Sequence, residues 1–291
     1  MCIICRWNSG EEKIDLSINV MNCYNCTALT SIPILLELKT LNCEGCTSLT
    51  SIPVLPQLKQ LFCSGCTSLT SIPQIPKLRE LYCSRCTSIT SIPVIQELKA
   101  LYCWGCIGLT EIPIAPKLEM LYCNSCPALT SIPVLPKLEY LYCRQCTSLT
   151  VLPPNMIQLE ALDCSYCTKF TSIPALPKLK ELYCTYCTTI TSIPELPKLE
   201  IINCSRCTAL TRIPEFQNLK SQNYTGCKWF RKCDDYDSNI KSLRSCQSIF
   251  KRKLTARKLE KLIPAITEIY YSPGCKGEFL SKRKFYATCK L

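Results

Sequence analysis

A 20-residue pattern dominates this chain and leaves little freedom in how it can fold. It reads L-x-x-L-x-C-x-x-C-T-x-L-T-x-I-P-x-L-P-x, and Leu78 to Glu97, LRELYCSRCTSITSIPVIQE, is a representative copy. The first cysteine falls at Cys23, Cys43, Cys63, Cys83, Cys103, Cys123, Cys143, Cys164, Cys184 and Cys204. The second follows three residues later, from Cys26 to Cys207. Every step is 20 residues except the 21 between Cys143 and Cys164. A fixed period of this length means a solenoid, in which each coil packs only on its neighbours. Such an array grows in one dimension, so 291 residues do not translate into two ordinary globular domains. It offers a long, regular surface, which favours binding over chemistry.

One coil can be read residue by residue. Leu81 and Cys83 alternate with Glu80 and Tyr82, the period-two signature of a strand. Identical coils stack such strands in register, about 4.8 Å apart, as one parallel sheet. Ile89 and Ile92 then point inward, and the Thr and Ser between them face out or bond to nearby backbone. The Thr column runs from Thr30, Thr50 and Thr70 to Thr211. Prolines follow, often in pairs such as Pro53 and Pro56, Pro73 and Pro76, or Pro174 and Pro177. Proline lacks an N–H and disfavours helix at the residue before it, so the return is predicted to be extended and polyproline-like.

The pattern divides the chain into an N-terminal cap (1–17), a solenoid (18–227) and a C-terminal segment (228–291). The cap carries Cys2 and Cys5, a stray C-x-x-C read as a fragment of a repeat. In the last coil Leu219, Gln222, Tyr224 and Cys227 keep the phase, with Tyr224 in place of the first cysteine. Trp229 and Phe230 are placed to cover the open end of the core. The charge is concentrated beyond that point. Residues 221–291 hold 16 Lys and Arg against 6 Asp and Glu, so they supply +10 of the chain's +12.

Within the tail, Ile240, Leu243, Gln247, Phe250 and Leu254 fall at helical spacing, with Asp237 or Ser238 as N-cap. Basic residues accompany them: Lys241, Arg244, Lys251, Arg252, Lys253, Arg257 and Lys258. A second helix is predicted from Leu262 to Tyr271. This segment reads as a solvated helical cap, as a contact for nucleic acid or another acidic surface through charge alone, or as a calmodulin-type target helix.

Some function classes are disfavoured. There is no histidine, the commonest general base and metal ligand. No apolar run approaches the roughly 20 residues of a membrane-spanning helix. The first residues, MCIICRWNSGEEKIDL, contain no apolar stretch of signal-peptide length. The expectation is a soluble, non-enzymatic, cytoplasmic chain without a cofactor.

The repeat resembles that of leucine-rich repeat proteins. L-x-x-L-x-C-x-x-C-x-x-L is similar to their core, L-x-x-L-x-L-x-x-N/C-x-x-L, from about Ile18 to Pro214. The L-T-S-I-P-x-L-P-x-L portion resembles the short repeats of bacterial secreted effectors. The C-x-x-C version with a basic tail looks like repeat proteins predicted in giant DNA viruses. Some effectors carry a C-terminal ubiquitin-ligase domain with a Cys-x-Asp nucleophile. Cys233-Asp234-Asp235 fits the triplet, but the roughly 60 residues after the solenoid are too few for that domain. The resemblance implies a leucine-rich repeat horseshoe or rod, in the host cytoplasm if viral, or alternatively in the virion.

By the same resemblance, the first cysteine of each pair stands for a core leucine. The second stands for the family's asparagine, whose side chain bonds to turn backbone. Three states suit such columns. Buried reduced thiols act as small hydrophobes and weak donors. Metal or iron–sulfur ligation fits C-x2-C-x16-C-x2-C, although that spacing is a by-product of the period, and no Lys or Arg points inward to offset buried thiolates. Disulfides across the turn fit its geometry and would point to an oxidising compartment.

The exposed strand positions carry the binding expectation. The residue before the first cysteine runs Asn22, Asn42, Phe62, Tyr82, Tyr102, Tyr122, Tyr142, Asp163, Tyr183, Asn203. Met120 and Tyr140 flank this column on one side, Trp104 and Arg144 on the other. The rings can form a ladder that stabilises the sheet, each neighbour pair adding roughly 0.2–1 kcal/mol. They can equally form a partner-binding strip, since aromatics and Arg dominate hot spots. The reading is a repeat scaffold that binds a protein on this face. A self-assembling structural protein of a virus particle is the alternative, and a metal-binding or redox solenoid the third.

Overall fold

The computed structural model describes residues 3–8 and 17–228. Cys2, Trp229, Phe230, Cys233 and the basic residues from Lys241 to Lys258 lie outside the described residues, as do both predicted C-terminal helices.

A short helix, α1 (Ile3–Asn8), precedes eleven strands of three residues each. They are β1 (Val20–Asn22), β2 (Thr40–Asn42), β3 (Gln60–Phe62), β4 (Glu80–Tyr82), β5 (Ala100–Tyr102), β6 (Met120–Tyr122), β7 (Tyr140–Tyr142), β8 (Ala161–Asp163), β9 (Glu181–Tyr183), β10 (Ile201–Asn203) and β11 (Ser221–Asn223). They form one parallel sheet in strict sequence order. Register is fixed by position in the repeat, as in Glu80↔Ala100, Leu81↔Leu101 and Tyr82↔Tyr102. A one-residue slip would move the buried leucine to the outer face.

Inter-coil bonding extends beyond each strand. Lys39 N and Thr40 N both donate to Asn19 O, Cys23 N donates to Asn42 O, and Asn25 N donates to Glu44 O. Inside, a typical coil supplies Leu, Leu, Cys, Cys, Leu or Ile, Ile and Leu or Ile to one continuous core. In the coil of Leu78 these are Leu81, Cys83, Cys86, Ile89, Ile92 and Ile95. Inward residues recur every third position, except for the two-residue step across the strand. Each fully buried aliphatic side chain contributes about 1.5–3 kcal/mol.

The C-x-x-C segment is a tight turn. Cys86 N donates back to Cys83 O at 3.3 Å. Its third residue takes positive φ in every coil, with side chains as large as Arg85 (57°), Tyr166 (63°) and Tyr186 (59°). That conformation costs a non-glycine residue roughly 1–2 kcal/mol, and Gly65 (74°) meets it without the penalty. The second cysteine then bonds between coils rather than within one. Cys106 Sγ donates to Cys83 O at 3.0 Å, Cys126 Sγ to Cys103 O at 3.2 Å, and the series runs from Cys46 to Cys227. The carbonyl of each first cysteine therefore accepts the thiol of the next coil and, except at Cys123, the N–H of its own turn.

The return segment is non-helical, as the prolines require. It is also tied from coil to coil. Thr130 N donates to Thr110 O at 3.2 Å, and the Thr130 hydroxyl donates to the same oxygen at 3.4 Å. Isolated parallel bridges join Glu111 to Ser131, Val151 to Ser172 and Ser192 to Arg212. With hydrogen bonds spanning coils on both sides, the spacing opposite the sheet stays close to the strand spacing. The 21-residue coil places its extra residue in the return, where Asn155 takes φ 71° and Met156 is fully buried. The sheet register resumes at Tyr140↔Ala161.

At the N-terminus Cys5 belongs to a helix rather than to a fragment of a repeat, and α1 buries Ile4 and Cys5 against the first coil. No helix among the described residues is long and apolar enough to cross a membrane.

Both cysteine columns are held as thiols. In the first column, the thiols from Cys43 to Cys204 are pushed well above their ordinary range. For Cys63, the causes are the hydrogen bond with the Cys86 thiol and then burial; for Cys83, they are the Cys106 thiol and burial. A group with a raised folded value stabilises the fold below its unfolded value and loses that contribution as pH climbs toward the folded one. In reductant, stability is therefore expected to hold below about pH 8.5 and to fall above it, by up to about 1.4 kcal/mol per pH unit per thiol. Urea unfolding between pH 7 and 10.5 measures this. In the turn, Ser125 (φ 54°) replaced by Val is expected to cost about 1–2 kcal/mol, while Ser125→Gly stays within about 0.5 kcal/mol of the parent.

Candidate partner-binding face

The outer face of the sheet is built from the two residues that flank each buried strand leucine, together with the two turn residues between the cysteines. The aromatic column is continuous. Phe62, Tyr82, Tyr102, Tyr122 and Tyr142 stack with centroid separations of 4.5, 4.4, 4.7 and 4.5 Å. Interplanar angles lie between 5° and 14°. Parallel strands impose this spacing, and it matches the thickness of two stacked rings. Ring faces are consequently covered by neighbours, and the column presents ring edges and hydroxyls, each ring being half-buried.

Register shows which side chains the fold brings together. Met120 pairs with Tyr140, directly beside Tyr122 and Tyr142. Trp104 is exposed in its turn, with the Arg85 guanidinium 4.2 Å from the ring centroid. Tyr183 does not join the ladder, because Asp163 stands between it and Tyr142. Its hydroxyl donates to Glu181 instead, at 3.4 Å. Arg144 lies over the ring of Tyr166, 4.9 Å from its centroid.

The last contact opens a second ladder. Tyr166 and Tyr186 stack at 4.7 Å, and Arg206 covers the far face of Tyr186. Arg85, Tyr166, Tyr186 and Arg206 were not singled out by the sequence. Their signal was present, because all occupy the third residue of C-x-x-C in their respective coils.

Where the column holds Asn or Asp, the side chain closes its own turn. Asn42 Oδ1 accepts from Glu44 N at 3.0 Å, Asp163 Oδ1 from Ser165 N at 2.9 Å, and Asn203 Oδ1 from Ser205 N at 3.2 Å. The aromatic coils exchange that bond for stacking, so the rings occupy one uninterrupted central stretch. Charges border it. Lys39, Lys59, Arg79 and Lys99 precede β2 to β5, and Glu119, Glu139 and Glu160 precede β6 to β8. Lys99 and Glu119 pair at 3.0 Å where the sign changes. The strip is thus edged by cations at one end and anions at the other.

Burial, followed by the Glu80 carboxylate, pushes the Tyr82 phenol up to about 12. Burial is also the leading cause of the upward shifts at Tyr102, Tyr142 and Tyr183. Among the described residues, no group of three or more Cys, Asp or Glu is arranged to hold a metal ion. Ligation would also require removing the thiol protons that now bond to carbonyls.

A second surface stands opposite. Ile34, Val54, Val94, Ile114 and Val134 are exposed at equivalent positions after the Ile-Pro of each return, with Gln74 the interruption. The sequence reading passed over this stripe because the prolines drew attention to backbone shape. The signal was the apolar residue between the two proline positions.

No protein-family model matches the chain, and no curated protein does. Among solved structures, a leucine-rich repeat protein from Bacteroides ovatus is similar over 70% of this chain and 78% of its own, at 16% identity and a TM-score of 0.33. The described coils form a parallel β-solenoid: one strand per coil, stacked in sequence order around a continuous core.

Each interior ring makes two stacking contacts, each worth about 0.5–1.5 kcal/mol. Tyr102→Ala is expected to lower stability by about 1–3 kcal/mol, and Tyr102→Phe by less than about 0.5 kcal/mol. Denaturant titration distinguishes them. Phenolate absorbance is expected to show Tyr82 ionising near 12, so its share of stability is complete below about pH 10 and lost between 10 and 12.

Proposed function

We propose that this chain is a non-enzymatic repeat scaffold that binds a protein partner across the central sheet face. The observation that carries the reading is the uninterrupted ring column from Phe62 to Tyr142, rigid through stacking and exposed along its edges. Stacked rings have already lost their rotamer freedom, so a partner that contacts them orders little further. Met120, Tyr140 and the Arg85–Trp104 pair widen the strip. Arg144 and the more distant Tyr183 extend it toward the C-terminal coils. The reversal of charge from Lys99 to Glu119 orients the partner, which carries anions over the first coils and cations over the later ones.

The basic residues Lys241, Arg244, Lys251, Arg252, Lys253, Arg257 and Lys258 add attraction to an acidic surface or to nucleic acid. A redox role for the first cysteine column is not favoured, since the thiols from Cys43 to Cys204 are buried and shifted toward their protonated form.

Capture from a cell extract by four immobilised forms tests the reading: the parent, Tyr102→Ala with Tyr122→Ala, Tyr102→Phe with Tyr122→Phe, and Val94→Ser with Ile114→Ser. The alanine pair is expected to weaken capture of a specific protein at least ~10-fold while circular dichroism stays unchanged. The return-side pair is expected to capture normally. Loss confined to that pair moves the site to the opposite surface and overturns the proposal.

A further inference from the structure

The cysteine staple changes character at its N-terminal end. From Cys46 onward, each second cysteine donates to the first-cysteine carbonyl of the coil before it. One coil earlier, the Cys26 sulfur instead faces the sulfur of Cys5, at 3.2 Å. Cys5 belongs to α1, the helix that closes the end of the solenoid, and Cys26 to the turn after β1. The pair also differs in access. Cys5 and Cys26 are each 8% exposed, Cys23 is 1% exposed, and every other described cysteine is at 0%. Among the described cysteines, these two are the thiols that a dissolved reagent can best reach, and they are already in contact.

We propose that Cys5 and Cys26 form a redox-active dithiol that exchanges with a low-molecular-weight disulfide such as oxidised glutathione. One of the two, as thiolate, attacks a sulfur of the small disulfide, forming a mixed disulfide and releasing one small thiol. The other, as thiolate, attacks the protein sulfur of that mixed disulfide, closing the Cys5–Cys26 bond and releasing the second small thiol. Two protein thiols are oxidised, one small disulfide is reduced to two thiols, and the two protein protons end on those products. Closure needs the sulfurs to approach by roughly 1 Å, from 3.2 Å to the ~2.05 Å of a disulfide.

The bond clasps α1 to the first coil. In that coil β1 is an edge strand of the sheet, and Val20 is 66% exposed on it. An uncovered edge is where a parallel array accepts another strand. The clasp therefore sets how firmly the first end of the solenoid is closed, under the control of the thiol–disulfide balance around it.

The test incubates the reduced, native full-length chain with oxidised glutathione, then alkylates it, unfolds it, alkylates it again with a second reagent and maps the peptides. A Cys5–Cys26 cross-link is expected to dominate, with Cys43 to Cys227 labelled only after unfolding. Cys5→Ser is expected to leave Cys26 as a glutathione mixed disulfide, and Cys2→Ser to leave the cross-link intact. Amide exchange across Ile3–Asn8 in the parent chain is expected to slow at least ~10-fold on oxidation and recover on reduction, which reads the clasp without any substitution. A dominant Cys2–Cys5 bond, an unchanged dithiol, or a metal ion held by these cysteines in native mass spectrometry would each overturn the proposal.

Discussion

The structure depends on one doubly used acceptor. In all but one of the described C-x-x-C coils, the carbonyl of the first cysteine takes the N–H that closes its own turn and the thiol of the coil that follows. A thiol is small enough to lie in the core among leucines and still donates. An alanine there would leave out the inter-coil bond, and an asparagine would bring a second polar group that needs its own partner. Because this bond ties the turn of one coil to the turn of the next, the turns superimpose, and strands, return threonines and surface columns superimpose with them.

That superposition explains why the outer face can hold a ring ladder. Side chains at equivalent positions are brought to the separation of two strands, which suits flat groups. Tyr82, Tyr102 and Tyr122 stack for this reason, and Arg144 finds the Tyr166 ring in the adjoining turn. The same rule hides the faces of the rings, so the strip recognises through edges, hydroxyls and bordering charge rather than by sandwiching a ligand. Rigidity and display come from a single arrangement.

Much of this was legible in the residues. Period-two alternation at Leu81 and Cys83 located the strands, the prolines forbade a helical return, and the column before the first cysteine named the ring ladder. What escaped was whatever depends on dihedral angles. The positive φ at Arg85 and Tyr186 has no compositional mark in those coils, since the glycine that betrays it at Gly65 is replaced by large side chains. The direction of the cysteine thiols, toward the previous coil, is likewise a fact of stacking rather than of spacing. The helical state of Cys5 was hidden because its C-x-x-C copies the motif without the preceding L-x-x-L that makes a strand.

The single 21-residue coil bears on how such a chain finds its own order. Coils this alike bury almost the same side chains whichever neighbour they meet, so a chain displaced by a whole coil gains nearly the full core. The coil between Cys143 and Cys164 breaks that degeneracy. Its left-handed Asn155, with the buried Met156 and the buried Phe170 that follows in a column otherwise held by Leu and Ile, has no equivalent elsewhere among the described coils. It acts as an address within a repetitive text, giving assembly one place where only the correct neighbour fits.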